Sequence, residues 1–401
     1  MQQHVLGKMD PKILGQRLQD VRKARGLTQQ DVAKELDVAR TTITALEKGE
    51  RKIQPNELVT LARLYGREIS DLVSNRPILG SFAVQFRSSV INTGPMQPKL
   101  EQAVDEFQQL CEDYLNLEEI CNSPMSRNYP QEYSINGLEV EQLGDDIATS
   151  ERHRLALGDG PVLNLRELLE NDVGTRIFYI KLPPNVSGMF TFSEQLGGCF
   201  AINLNHPEER RRWSTAHEYG HFLTHRFQSE VSILLAYDRV PASERIADAF
   251  AGAFLMPATG LRHRFNDIRL HKGSITSADL CRLANYYFVS VEALALRLEA
   301  LHLITSGSWV RLKESGFKVR EAQEILKLEP HPIMDQALPL RYQYLAVEAF
   351  QRGDISEGQL TKFLRVDRVE ARRTAERLSC QTHVSEGGEI ASLAVDFTKI
   401  A

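Results

Sequence analysis

Apolar residues recur every three to four positions along most of the chain, so the dominant pattern is helical. Ile13, Leu14, Leu18 and Val21 form the first such stripe, and Gly26 ends it. Thr28 is placed to cap a short helix over 29–36, with Val32, Ala33 and Leu36 turned inward. Asp37-Val38 makes a tight turn into a second short helix over 39–48, which buries Ile43 and Leu46 before Gly49 closes it. Pro55 opens a further helix with Leu58, Leu61, Ala62 and Tyr65 on one face. Later stretches with the same period predict helices over 100–119, 151–157, 162–170, 279–287 and 291–301. A carboxyl-terminal set follows over 341–352, 356–364 and 368–378. The period shifts toward two over 174–180, 188–192 and 198–204, which read as strands. Segments 82–91 and 390–400 are further strand candidates. The expected fold is mostly α with a small β-sheet, an α+β chain.

Two short helices across a three-residue turn, with the small Ala33 at their crossing, make a helix-turn-helix. Its second helix displays Arg40, Thr41, Thr42 and Thr44, polar groups able to reach base edges in a major groove. Gln29, Lys48, Arg51 and Lys52 are placed to hold phosphates on either side. The run from Thr28 through Arg51 resembles the Cro/C1 (XRE-type) helix-turn-helix over about 60 residues. One departure bears on specificity. The glutamine common at the start of that family's reading helix is replaced by Arg40-Thr41, so no base preference carries over.

A second motif carries different chemistry. In Thr215-Ala216-His217-Glu218-Tyr219-Gly220-His221, two histidines four apart lie one above the other on a helix. Two imidazoles so spaced can grip one Zn²⁺, with Glu218 beside them as general base. A third ligand is required. His225 extends the same face, but eight helical residues span about 12 Å, too far for His217 and His225 to share an ion. Glu244 is the better choice, at the start of a buried helix carrying Ile246, Ala247, Phe250 and Phe254. Small residues Ala247, Ala251 and Gly252 would let that helix approach closely, and Asp248 is placed to orient a ligand imidazole. Tyr219 and His225 are weaker candidates for an oxyanion donor. A protease commonly holds its substrate on a sheet edge, and the strands just before this helix offer one. These residues, with Glu-Arg-Ile-Ala-Asp-Ala-Phe-Ala-Gly-Ala-Phe-Leu-Met-Pro at 244–257, resemble the ImmA/IrrE metallopeptidases over about 160–310. The resemblance implies zinc ligands at His217, His221 and Glu244, a gluzincin-like set, with Glu218 as base. It also implies a helix-turn-helix repressor as substrate.

Composition adds little and excludes some classes. The total charge is −5, yet residues 1–76 carry 14 Lys/Arg against 10 Asp/Glu, a net of +4 that leaves −9 for the rest. A mildly basic head on an acidic body suits a DNA-binding module. The five cysteines are scattered and form no CxxC, which points to reduced thiols. No apolar run approaches the roughly 18 residues of a membrane span, and the amino terminus lacks a signal-like apolar core. A cytoplasmic protein without a membrane partner is expected.

Four segments follow: a DNA-binding domain over 1–75, a connector over 76–158, a zincin-like metallopeptidase domain over 159–310, and a helical module over 311–401. In that last module 355–366 has a helix-turn-helix cadence, and the next helix carries Arg368, Arg372, Arg373 and Arg377. A packing or dimerisation role with a solvated basic face is the leading expectation there, and a second DNA reader the alternative. The whole reads as a homodimeric regulator on a double-stranded operator. Its zinc peptidase would cut a helix-turn-helix repressor or its own segment near 76–98. Two other readings are a transcription factor whose peptidase-like domain senses a ligand or metal, and an antitoxin or prophage immunity repressor. The intact Glu218 favours the enzyme, since a sensor has no need of a base there.

Overall fold

The computed structural model describes residues 10–65, 69–73, 82, 86, 97–135, 139–228, 230–233, 241–329, 331, 336–379, 382–384 and 390–392. The chain divides into two compact units, one of Met1–Ser81, Gln108–Met125 and Leu338–Ala401, the other of Phe82–Phe107 and Ser126–Ala337.

The first unit opens with α1 (Pro11–Ala24), α2 (Gln29–Glu35), α3 (Arg40–Glu47), α4 (Pro55–Tyr65) and α5 (Ile69–Val73). Thr28 and Asp31 form a reciprocal capping box at the start of α2, which satisfies two backbone donors that a helix end leaves bare. Leu18, Val32, Ile43, Leu46, Leu58 and Leu61 close over one another in a small core, as their spacing predicts. A buried ion pair lies beside it: the Arg22 guanidinium donates to both oxygens of Glu47 at 2.5 and 3.0 Å.

The same unit holds the second half of α6 (Gln97–Ile120) and three carboxyl-terminal helices, α16 (Leu340–Gln351), α17 (Glu357–Leu364) and α18 (Arg368–Ser379). The Tyr114 and Tyr342 rings meet edge to face at 5.3 Å, and Arg341 reaches Glu118 at 2.9 Å. Residues 390–392 do form a strand, paired antiparallel with 382–384, while the rest of 390–400 lies outside the described residues.

The second unit is built on a four-stranded sheet of β1 (Arg176–Ile180), β2 (Val186–Ser193), β3 (Gly197–Asn203) and β4 (Glu230–Ile233), in the order β1-β3-β2-β4. β1 runs parallel to β3, and β2 runs antiparallel to both its neighbours. Aromatic and β-branched residues suit these strands, and every residue of β1 and β3 is buried. Against the sheet packs α9 (Glu208–His225), and α10 (Ala242–Leu255) packs in turn on α9. Phe200 of β3 meets Phe222 of α9 at 5.9 Å.

Two expectations from the sequence need correction. Helices read at 151–157 and 162–170 are instead α7 (Val140–Arg154) and the short α8 (Leu165–Leu168), followed by a π-turn over Leu169–Val173. In α7, Leu143, Ile147 and Ala148 are all buried in the core that bears the sheet. Gly144 makes that packing possible, because a Cβ there would fall 2.6 Å from the Cβ of Ala249 and 2.7 Å from the nitrogen of Phe250. Phe82 and Phe86 are not on a strand either. The Phe86 N–H donates to the Phe82 carbonyl at 2.8 Å, a helical turn that buries both rings. The remainder of 82–91 lies outside the described residues.

Between α10 and α16 run α11 (Ala258–Lys272), α12 (Ser277–Tyr287), α13 (Val291–Ala300), α14 (Ser308–Glu314) and α15 (Val319–Ile325). Among the described residues no helix is long and apolar enough to cross a membrane. Cys111, Cys121, Cys199 and Cys281 are buried thiols.

Candidate metal centre

α9 follows Pro207 and carries Glu208 and Glu209 in its first turn, where acidic groups suit the helix dipole. Its middle is buried all round, so His217 and His221 are presented from inside the core and not from a solvated face. α10 lies beside it. A Cβ on Gly220 would sit 3.1 Å from the Ala247 Cα, so the small residues at this crossing let the two helices come close. That approach brings Glu244, in the first turn of α10, to both imidazoles.

The donor atoms cluster tightly. His217 Nε2 lies 3.0 Å from His221 Nε2. The Glu244 carboxylate places one oxygen 3.3 Å from His217 Nε2 and the other 3.3 Å from His221 Nε2. A tetrahedral ion with bonds near 2.05 Å separates its ligand atoms by roughly 3.3 Å, so this donor set has the dimensions of a zinc site. These are the residues that the sequence singled out as ligands, brought together from two helices.

Asp248 accepts a hydrogen bond from His217 Nδ1 at 2.9 Å, leaving Nε2 turned toward Glu244 and His221. Trp213 Nε1 also donates to that Asp248 oxygen, at 3.4 Å. Burial works against charge on His217, but hydrogen bonds to Asp248 and Glu244 overcome it and hold the imidazole well above its ordinary pKa. Burial likewise tends to raise Glu244, yet its bonds to His217 and His221 win and keep the carboxylate ionised. The His221 ring is fixed from the sheet side by Phe190, stacked at 6.0 Å and 8°.

Glu218 is fully buried one position along from His217. Its carboxylate rests against Gly188 of β2, where a Cβ would lie only 2.6 Å from Oε1. Gly188 is therefore a site residue that the sequence did not reveal; it carries no side chain and no chemistry to flag it. Tyr219 is not turned toward the histidine cluster. Its hydroxyl donates to Glu151 at 2.6 Å, and the same carboxylate accepts from Tyr133 at 3.0 Å and pairs with Arg154 at 2.7 Å. That closed network ties α7 to α9 and removes Tyr219 as an oxyanion donor. His225, at the end of α9, is bonded to Thr224 at 2.8 Å and is not among the clustered donors.

The sheet has a fourth strand beyond the three that the sequence suggested. β2 is paired on both sides, so the edge nearest it belongs to β4.

In the amino-terminal head, Arg40, Thr41 and Lys48 are exposed, and Thr42 is half-buried. Thr44 donates to Gln29 at 3.1 Å, and Gln29 donates to Glu47 at 2.8 Å, so both also brace the head itself. Arg51 pairs with Glu57 at 2.8 Å. Glu47 and its buried partner Arg22 were not singled out by the sequence.

Two segments of the chain match known families. Residues 18–72 match the helix-turn-helix family model. Residues 170–299 match the M78 peptidase family model, described as an IrrE N-terminal-like domain. One solved structure, ComR from Streptococcus suis, aligns over 91% of this chain and 87% of that chain at 12% identity. The TM-score of that alignment is 0.16. Among curated proteins none matches. The chain thus joins an XRE-type helix-turn-helix to an IrrE/ImmA-like peptidase domain.

Proposed function

We propose that this protein is a DNA-bound regulator whose zinc-dependent peptidase domain cuts a helix-turn-helix repressor, or its own segment near 76–98. The observation that carries the reading is the donor triangle of His217, His221 and Glu244, with buried Glu218 one residue from its first member.

A bound zinc ion supplies Lewis acidity toward water and toward the scissile carbonyl. The chain's own residues do the rest. Asp248 keeps the proton on Nδ1 of His217, so Nε2 would be the atom that holds the ion. Glu244 contributes negative charge to the ligand set, and Phe190 keeps the His221 ring from turning. Glu218 takes a proton from the attacking water and returns it to the departing amine. Gly188 leaves that carboxylate room while the backbone of β2 lies against it. An extended substrate segment adds by backbone pairing at the β4 edge, since both edges of β2 are already taken. Arg40 and Thr41 at the start of α3 are exposed, as contact with an operator requires, and a DNA-bound head would bring the peptidase to where repressors bind.

The test is Glu218→Gln in full-length protein co-expressed with XRE-type repressors. The variant should keep its metal, measured by elemental analysis, and lose cleavage by at least about 100-fold, measured by mass spectrometry of the fragments. Equal cleavage by the variant refutes the mechanism.

A further inference from the structure

We propose that α16, α17 and α18 form a second helix-turn-helix, and that α18 binds double-stranded DNA. The observation is a correspondence with α1, α2 and α3 that runs residue by residue at a constant offset. In the head, Thr28 caps α2: its hydroxyl accepts from the Asp31 N–H at 3.2 Å, and Asp31 accepts from the Thr28 N–H at 2.8 Å. In the carboxyl-terminal set, Ser356 caps α17: its hydroxyl accepts from the Gln359 N–H at 3.3 Å, and Gln359 accepts from the Ser356 N–H at 2.8 Å. The next residue, Val32 in one and Leu360 in the other, is fully buried.

The turns agree as closely. Asp37 has φ 52° and Arg365 has φ 55°, both left-handed without being glycine. The following valine closes each turn by donating back to the helix, Val38 to Ala33 at 3.0 Å and Val366 to Thr361 at 3.2 Å. Each third helix then starts on an arginine, Arg40 or Arg368, and turns its fourth residue inward, Ile43 or Ala371. Ahead of each pair, a left-handed glycine follows the preceding helix, Gly26 at φ 67° and Gly353 at φ 77°. The one departure in this stretch is Asp354, an added residue between that glycine and the apolar residue before the cap. So many coincident capping and turn features fix a local geometry, and that geometry is what presents a reading helix to a groove.

The exposed surface of α18 supplies the partner's chemistry. Arg368, Arg372, Arg373 and Arg377 are all exposed, and Arg368, Arg372 and Arg373 stand where the head has Arg40, Thr44 and Ala45. The acidic groups that face them are few. Glu357 meets Arg372 at 2.5 Å, Glu370 lies 3.6 Å from Arg373, and Glu376 stands exposed on the same helix. Exposed ion pairs of this kind hold weakly and exchange readily for phosphate. Four guanidinium groups on a reading helix favour a duplex backbone, with base edges within reach of the first turn. The side chains differ from those of the head, so the two modules would prefer different sequences.

The experiment uses the full-length chain with Arg40→Ala, Thr41→Ala and Lys48→Ala, which disable the head. Binding to a fluorescein-labelled duplex of about 30 base pairs is followed by anisotropy between about 50 and 200 mM salt. Binding should persist. Adding Arg368→Gln, Arg372→Gln, Arg373→Gln and Arg377→Gln should weaken it at least tenfold. If about three of these guanidinium groups neutralise phosphates, the slope of log affinity against log salt should shrink by about 2.7. A separate Glu376→Lys variant keeps the test readable should the fourfold change disturb folding, and it should tighten binding by roughly threefold. Affinity and slope unchanged in both variants overturn the proposal. A change confined to sedimentation, with DNA binding intact, also overturns it and assigns α18 to contacts with a second copy.

Discussion

Gly188→Ala tests the site most sharply, because the residue carries no chemistry and acts only by leaving space. The added Cβ would lie 2.6 Å from Glu218 Oε1 and 3.1 Å from both Cγ and Cδ, where ordinary contact begins near 3.4 Å. Something must give by about 0.8 Å. Gly188 is paired with Ile202 on one side and, next to an irregularity between Val186 and Gly188, with Ser232 on the other, so the free end of the Glu218 side chain yields before the strand does. The carboxylate therefore moves. Such overpacking costs about 1–3 kcal/mol of stability. The catalytic cost is larger in effect: a misplacement near 1 Å lowers turnover about 100-fold, or about 2.7 kcal/mol of barrier. The three atoms nearest the new Cβ all belong to Glu218, so the donor triangle is spared and metal content should be unchanged. Cleavage rate on a co-purified repressor and metal content per chain are the two readouts. In a Glu218→Gln background the same substitution should cost little more, because the base it displaces is already gone. Wild-type turnover in a folded, metal-loaded Gly188→Ala protein would refute the reasoning, and so would loss of metal with the base still active.

Two more perturbations probe buried charge. Glu47→Ala strands the buried Arg22 guanidinium without its carboxylate. It should cost the head about 3 kcal/mol, seen as faster amide exchange across 11–65 in the full chain; unchanged protection counts against the pair as a structural element. Glu170 is pushed up to about 7 by burial, which outweighs its bond to Arg166. Because the folded pKa exceeds the ordinary 4.5, the fold favours the protonated form. This group's contribution is full below pH 4.5 and is lost as pH rises from there to about 7, a loss on the order of 3 kcal/mol. Glu170→Gln should flatten that part of the stability profile in calorimetry; an unaltered profile shows that another group sets it.

Much of the head was legible because its chemistry is local. Thr28 and Asp31 close a box three residues apart, and the Leu18, Val32, Ile43 and Leu46 pattern follows from helical period alone. His217, Glu218 and His221 are equally local, set by one turn of α9. Glu244 could be named because a buried helix start with small residues behind it leaves few other places for a third ligand.

What the sequence hid was non-local or silent. The true extent of α7 is masked because its stripe is interrupted by Gly144, whose purpose appears only against Ala249 and Phe250. Glu47 and Glu151 are buried by partners that sequence does not pair with them, Arg22 for the first and Tyr219 for the second. β4 is four residues long and gains its identity only by pairing with β2.

The sequence alone thus determined which groups are candidates for chemistry, since residue type and helical spacing are properties of a single turn. Only the tertiary structure decided how closely they meet and that Gly188 joins them. The approach of α10 to α9 across Gly220, and of β2 to Glu218 across Gly188, depends on close packing between distant segments. Close packing is a property of volumes in space, and no local pattern encodes it.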